Sequence, residues 1–195
     1  MKLKLIKMKC VQSTNSVALK LIKKNHLKPT LITSVMQTKG RGTMGKKWIS
    51  QKDNLFISIF FEIDQRKVSF KQYALLNAHL FKKIMEKFIL RKIDIKWPND
   101  LLIKKEKICG ILQEVIYFKN KSFLIIGAGI NTNNSPVIKN YKTTSLSDIV
   151  KKKIDNNKIL KEIKKDYEKF INQTKKYTFI KLKKEILKKN ELPSW

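Results

Sequence analysis

Little in this chain invites a covalent or metal-based reading. Cysteine occurs twice, at Cys10 and Cys109, and neither has neighbours at metal-ligand spacing. Both lie in alternating, strand-like stretches, so both are expected to be buried free thiols in a reducing compartment. The two histidines, His26 and His79, each lack a second candidate ligand nearby, and no metal site is expected. No apolar run approaches the roughly 18 residues that would span a bilayer. The first residues alternate Lys with apolar side chains, without the apolar block and cleavage site of a secretory leader. A cytoplasmic protein with no membrane partner is therefore expected. Arginine is scarce as well: Arg41, Arg66 and Arg91 are the only three among 44 basic residues.

What is abundant is lysine. The formal net charge is +29 over 195 residues. Such a field attracts phosphate backbones, which raises nucleic-acid binding as one reading. Lys, Ile and Asn share A/T-rich codons, however, and the lysines spread over the whole chain without interleaved aromatics. Codon bias accounts for that pattern without a partner, although the surface would still draw an acidic protein. With 42% hydrophobic residues the chain has enough apolar material for a packed core, and its length suits a single domain, residues 1–195.

Residues 2–10 alternate as a strand. Ser13-Thr14-Asn15 starts a helix carrying Val17, Ala18, Leu21 and Ile22 on one stripe. Residues 31–36 and 55–61 read as core strands, and residues 70–88 form the clearest helix, with Tyr73, Leu80, Phe81, Ile84 and Met85 at helical steps. Then come a short strand at 93–96, paired strands at 101–104 and 107–118 with the bend at Lys105-Glu106, and a strand at 122–130. From Ser147 onward the chain reads as lysine-rich helix, with Ile159, Ile163, Tyr167 and Phe170 on one face. Adjacent late strands with flanking helices indicate an α+β domain with a mixed, largely antiparallel sheet.

Three segments suggest chemistry. In Gly40-Arg41-Gly42-Thr43-Met44-Gly45, close glycines let backbone N–H groups approach an anion, and Arg41 offers a forked donor to phosphate. The spacing fits neither a Walker loop nor a dinucleotide fingerprint, and a plain surface turn is the rival reading. In Lys96-Trp97-Pro98-Asn99-Asp100, followed by Lys107-Ile108-Cys109-Gly110-Ile111-Leu112, two lysines flank a hairpin. They face one pocket, or they are ordinary solvated lysines. In Gly127-Ala128-Gly129-Ile130-Asn131, glycines at a strand end mark close backbone approach or a tight turn.

Taken in order, Ser13-Thr14-Asn15, Gln37, Gly40-Arg41-Gly42, Trp48, the Lys96 to Asp100 run, the Lys107 to Leu112 run and Gly127 to Asn131 resemble the biotin protein ligases. The resemblance spans about the whole catalytic core. It implies the fold shared with class II aminoacyl-tRNA synthetases, and ATP, biotin and Mg2+ as the ligands. It implies activation of biotin as biotinyl-5′-AMP and transfer to a lysine of an acidic biotin carboxyl-carrier protein. By similarity, Arg41 and the loop N–H groups hold phosphate, and Lys107 bridges biotin's carboxylate and the phosphate. Lys96, Asn99 and Asn131 belong to the nucleotide and magnesium region, Asp100 lies near the incoming lysine, and Trp48 packs beside adenine. Ser13, Thr14 and Gln37 hold the ureido head. Asn15, Gly40, Gly42, Thr43 and Gly110 complete the set of binding residues. Lipoate protein ligase is the nearest rival, and a basic nucleic-acid-binding protein on a decayed ligase fold is another.

Two departures from the family pattern stand out. Many members carry a second Arg in the loop where this chain has Thr43. The small β domain that follows the core in many relatives is expected to be absent. So is an N-terminal DNA-binding module, and with it sequence-specific DNA recognition. A monomer or a homodimer is expected.

Overall fold

The structure, a computed structural model, describes residues 1–187. The end of the lysine-rich tail, where helix and the chain end at Trp195 were expected, lies outside the described residues. Strands β1 (Lys4–Val11), β2 (Thr30–Gln37), β3 (Leu55–Ile63), β4 (Asp94–Lys96), β5 (Asp100–Ile103), β6 (Glu106–Phe118) and β7 (Lys121–Ile130) form one sheet. Their spatial order is β1-β2-β3-β7-β6-β5-β4. β1 and β2 run parallel, and every other pairing is antiparallel. Helices α1 (Thr14–Lys23), α2 (Phe70–Ile89), α3 (Leu146–Val150), α4 (Asn156–Lys176) and α5 (Phe179–Ile186) flank it. The expected α+β class with a mixed, largely antiparallel sheet is what the chain adopts.

Strand alternation sorts side chains into two layers. Leu55, Ile57, Ile59 and Phe61 of β3 and Leu124, Ile126, Ala128 and Ile130 of β7 face α2 and α4 in the larger core. Phe60 of β3 and Phe123 and Ile125 of β7 point to the other face, under Ala18 and Ile22 of α1. Each large apolar side chain fully buried in this way stabilises by about 1.5–3 kcal/mol before entropy is counted.

α2 begins where its sequence says it should. The Ser69 side chain accepts from Gln72 N–H, and Gln72 Oε1 accepts from Ser69 N–H at 2.9 Å, a reciprocal capping box. Leu90, with φ +49°, ends the helix in the left-handed region. α4 presents Ile159, Ile163, Tyr167 and Phe170 to the core as the periodicity predicts, and the Tyr167 hydroxyl donates to Asn77 Oδ1 at 3.0 Å.

Some expectations need correction. Cys10 is exposed. Ile6 and Met8 pack against the α1 layer, but Cys10, next on that face, falls outside the cluster on an edge strand. Val35 and Met36, expected within a buried strand, are exposed at the outer end of β2. The β5–β6 turn sits at Lys104 and Lys105, one residue earlier than read, and both have positive φ. The region from Ser147, expected to be helical, forms three helices, with Lys151 in the left-handed region after α3.

Candidate active site

The floor of the site is made by missing side chains. On the α1 face of β7, Phe123 and Ile125 are followed by Gly127 and Gly129. Gly127 pairs with Ser58 of β3 and Leu112 of β6; Gly129 pairs with Phe56 and Gly110. Past the N-terminus of α1 the sheet therefore carries a shallow trough, over which lies a cavity of about 300 Å³. A Cβ on Gly129 would stand 2.2 Å from the Trp48 ring, and one on Gly110 2.7 Å from it. A Cβ on Gly127 would meet Asn15 Oδ1 at 2.2 Å. Only glycine lets the Trp48 indole lie against the strand backbone.

One end of the cavity is polar and uncharged. Ser13, Thr14 and Asn15, buried at the start of α1, line it with Gln37. Gln37 Oε1 accepts from Thr14 N–H at 2.8 Å and from the Thr14 hydroxyl at 3.1 Å. Ser58 Oγ lies 2.7 Å from Thr14 Oγ1 and 2.5 Å from Asn15 Oδ1. Ser13 is the N-cap of α1 but makes no side-chain bond to the helix, so its hydroxyl is not committed there. Such an end suits a compact neutral head with both donors and acceptors.

The other end is cationic. Among the described residues Arg41, Lys46, Lys47, Lys96, Lys105, Lys107 and Lys142 line the cavity, against a single carboxylate, Asp100. Lys107 owes its place to a β-bulge. Leu101 pairs with Cys109 and Leu102 with Lys107, leaving Ile108 as the extra residue. On β6 the odd positions Cys109 and Ile111 face the core, and simple alternation would send Lys107 there too. The bulge turns it to the face of Gly110 instead, an arrangement common beside active sites. Lys107 Nζ then lies 2.8 Å from Asp100 Oδ1, 5.4 Å from the Trp48 ring centre and 5.3 Å from that of Tyr141.

The backbone around Lys107 is pinned. Lys107 N–H donates to Lys142 O at 3.0 Å, and Thr144 N–H donates to Lys107 O at 3.1 Å. Asn131 N–H donates to Ile108 O at 2.8 Å, and Asn131 Nδ2 reaches the carbonyls of Lys107 and Thr144 at 3.3 Å. Arg41, in the cavity wall, donates from Nη2 to Glu114 Oε2 at 2.6 Å. Asn99 Nδ2 donates to Asp100 Oδ1 at 3.1 Å and lies 3.4 Å from Thr43 Oγ1.

Of the residues singled out in the sequence, Ser13, Thr14, Asn15, Gln37, Arg41, Gly42, Thr43, Trp48, Lys96, Asn99, Asp100, Lys107 and Gly110 all line this one cavity. Gly40 and Asn131 lie outside its wall. Gly40 O accepts from Trp48 N–H at 2.9 Å, so it steadies the tryptophan; Asn131 steadies the bulge. The glycine loop also differs from an open anion nest. Gly42 N–H is spent on Lys46 O, Lys46 N–H on Thr43 O, and Trp48 N–H on Gly40 O. Positive charge therefore outweighs loop N–H groups as the anion-attracting element.

Sequence reasoning missed Ser58, Glu114, Tyr141, Lys105 and Lys142. Glu114 carried a usable signal: on β6 it shares the alternation of Gly110 and Leu112. Tyr141 carried none, because a long connection delivers it.

Comparison with known proteins places this geometry. Residues 8–131 match the model of the biotin/lipoate A/B protein ligase family. Over 166 residues the chain is 34% identical to the bifunctional ligase/repressor BirA of Bacillus subtilis, covering 82% of this chain and 51% of that protein. The chain spans about half the length of the curated relatives it matches. A biotin protein ligase from Aquifex aeolicus, solved in complex with biotin and ATP, superposes with a TM-score of 0.77 at 30% identity, covering 94% of this chain and 76% of that one. A lipoate-protein ligase A bound with ATP gives a TM-score of 0.63 at 11% identity, a likeness of fold alone, covering 88% of this chain and 86% of that one.

Proposed function

The chain belongs to the biotin/lipoate A/B protein ligase family, and from that premise we propose that it joins biotin to a lysine of an acidic biotin carboxyl-carrier protein at the expense of ATP. In the first step a carboxylate oxygen of biotin attacks the α-phosphorus of ATP, the α–β phosphoanhydride bond breaks, and pyrophosphate leaves. In the second, the carrier's ε-amine attacks the acyl carbon of biotinyl-5′-AMP, loses a proton and expels AMP.

The observation that carries this reading is the position of Lys107. The bulge holds its ammonium in the cavity wall on the face of Gly110, beside Asp100 and the Trp48 and Tyr141 rings. The neutral end takes the ureido head, with Ser13, Thr14, Asn15 and Gln37 as partners. Arg41 and the lysines take the triphosphate. Lys107 neutralises the carboxylate and the α-phosphate, two anions that must approach each other, and stabilises the charge that gathers on the phosphate oxygens. Asp100 orients Lys107 and lies where the carrier's amine must give up its proton. Trp48, on its glycine bed, offers an aromatic face to adenine.

Among the described residues no group of three or more His, Cys, Asp or Glu side chains could hold a metal ion. Mg2+ on this reading arrives with the triphosphate, whose oxygens are its principal donors. No helix of the described residues is long and apolar enough to cross a membrane. The cationic surface suits an acidic carrier. The likeness to lipoate-protein ligase A rests on fold alone, and the loop and Lys-Trp-Pro-Asn-Asp run favour biotin over lipoate.

Purified protein, labelled biotin, MgATP and a biotin carrier domain provide the test. ATP-dependent label on the carrier lysine is the expected result. Absence of label, or preference for lipoate with its own carrier, would overturn the assignment.

A further inference from the structure

Beside the cavity lies a carboxylate that the mechanism above does not use. Glu114 Oε2 accepts from Arg41 Nη2 at 2.6 Å and from Asn15 Nδ2 at 2.7 Å. Arg41 and Asn15 both line the cavity, on its cationic and neutral sides respectively, whereas Glu114 is not part of its wall. One oxygen therefore bridges the glycine loop to the first turn of α1. Asn15 is in turn fixed by Ser58 at its Oδ1 and by the Gly127 floor, where no Cβ fits.

We infer that Glu114 is a positioning residue: its carboxylate holds Arg41 against the cavity for the anionic part of the nucleotide. Two features carry this. Glu114 engages one nitrogen of Arg41, and a guanidinium has five N–H donors, so most remain for phosphate. The glycine loop holding Arg41 has few anchors of its own beyond internal turn bonds. A flexible arginine loses conformational entropy on gripping phosphate; one already tethered has lost much of it in advance. Partial exposure of the pair keeps the effect modest.

The inference rests on the nucleotide reading of the cavity, so its test reads MgATP binding directly and does not require turnover. Calorimetric affinity would be measured for the parent protein, Glu114→Ala, Glu114→Gln, Arg41→Ala and the Glu114→Ala/Arg41→Ala double variant. Glu114→Ala should weaken MgATP roughly three- to tenfold. Glu114→Gln, which keeps an oxygen for Asn15 and Arg41 but not the charge, should recover part of the loss. In the Arg41→Ala background, removing Glu114 should add almost nothing, because its partner is gone. A merely structural Glu114 would instead give the same fold-loss in both backgrounds, and that additivity would overturn the inference, as would unchanged affinity in Glu114→Ala. Failure of the parent protein to bind MgATP would overturn both this inference and the ligase reading. Binding without biotin-dependent pyrophosphate exchange would count against the ligase reading alone.

Discussion

Lys107 and Asp100 face each other across the β5–β6 hairpin, with 2.8 Å between Nζ and Oδ1, and among the described residues the pair is the only place in the cavity wall where opposite charges meet. At 14% side-chain exposure Lys107 is largely withdrawn from water, so its charge is poorly screened. On the proposed reading, Lys107→Ala removes a charge-assisted contact to the reacting anions worth about 1.5–3 kcal/mol. Adenylate formation, followed as biotin-dependent release of pyrophosphate, should fall at least about tenfold. An unchanged rate would remove Lys107 from the chemistry.

The glycine floor separates the two halves of the site. Gly129→Ala pushes a methyl group into the Trp48 ring, and Gly127→Ala pushes one into the Asn15 amide. Both neighbours are hemmed in, and displacements of about 1 Å in a site cost up to roughly a hundredfold. Gly129→Ala should raise KM for ATP well above its effect on biotin; Gly127→Ala should do the reverse. Equal shifts in both constants from both variants would mean that the two halves are not separate.

Thr43 stands where many relatives have a second loop arginine. Here its hydroxyl lies 3.4 Å from Asn99 Nδ2 and brings no charge to the wall. Thr43→Arg should slow dissociation of preformed biotinyl-adenylate by about ten- to a hundredfold, the equivalent of one charge-assisted bond. Labelling of albumin by escaped adenylate should drop in parallel. Equal or faster release from Thr43→Arg would show that the lysines at the cavity mouth already supply the missing charge.

The two thiols should behave as opposites. Cys10 is exposed and should react with a thiol reagent in the native protein, whereas Cys109 is buried and should react only after unfolding. Burial pushes the Cys109 thiol well above its ordinary value, with nearby Lys107 partly opposing this. The folded state therefore keeps a proton that the unfolded chain releases above about pH 9, and thermal stability should decline as pH rises past that point. Two reactive thiols in the native protein would contradict the packing around β5 and β6.

Most of the architecture was readable from periodicity, because the strands bury one or both faces and α2 and α4 carry clear apolar stripes. The misplacements came where a local rule was outweighed. Lys104 and Lys105 both adopt positive φ, which composition assigns to Gly or Asn rather than to lysine. Cys10 follows the inward alternation of Ile6 and Met8 but runs beyond the helix that would cover it. The residues of the cavity were legible as types in a familiar order. Their partners were not: Glu114 meets Arg41 across 73 positions of sequence, a contact that only sheet order supplies. Asn131, which the resemblance assigns to the nucleotide and magnesium region, donates its N–H groups to the carbonyls that shape the bulge, a role no local pattern announces.

That bulge makes the site depend on counting as well as on chemistry. Ile108 contributes no group to the cavity, yet it is the unpaired residue that decides which side of the sheet receives an ammonium. Giving Ile108 a partner, through one added residue between Leu101 and Leu102, would preserve each cavity-lining side chain by type and order, while plain alternation would then aim Lys107 to the side of Cys109 and Ile111, in the apolar interior. A relative that had lost its activity in this way would look intact to any tally of motif residues. The register between β5 and β6 is thus itself part of the candidate site, heritable and breakable like a side chain.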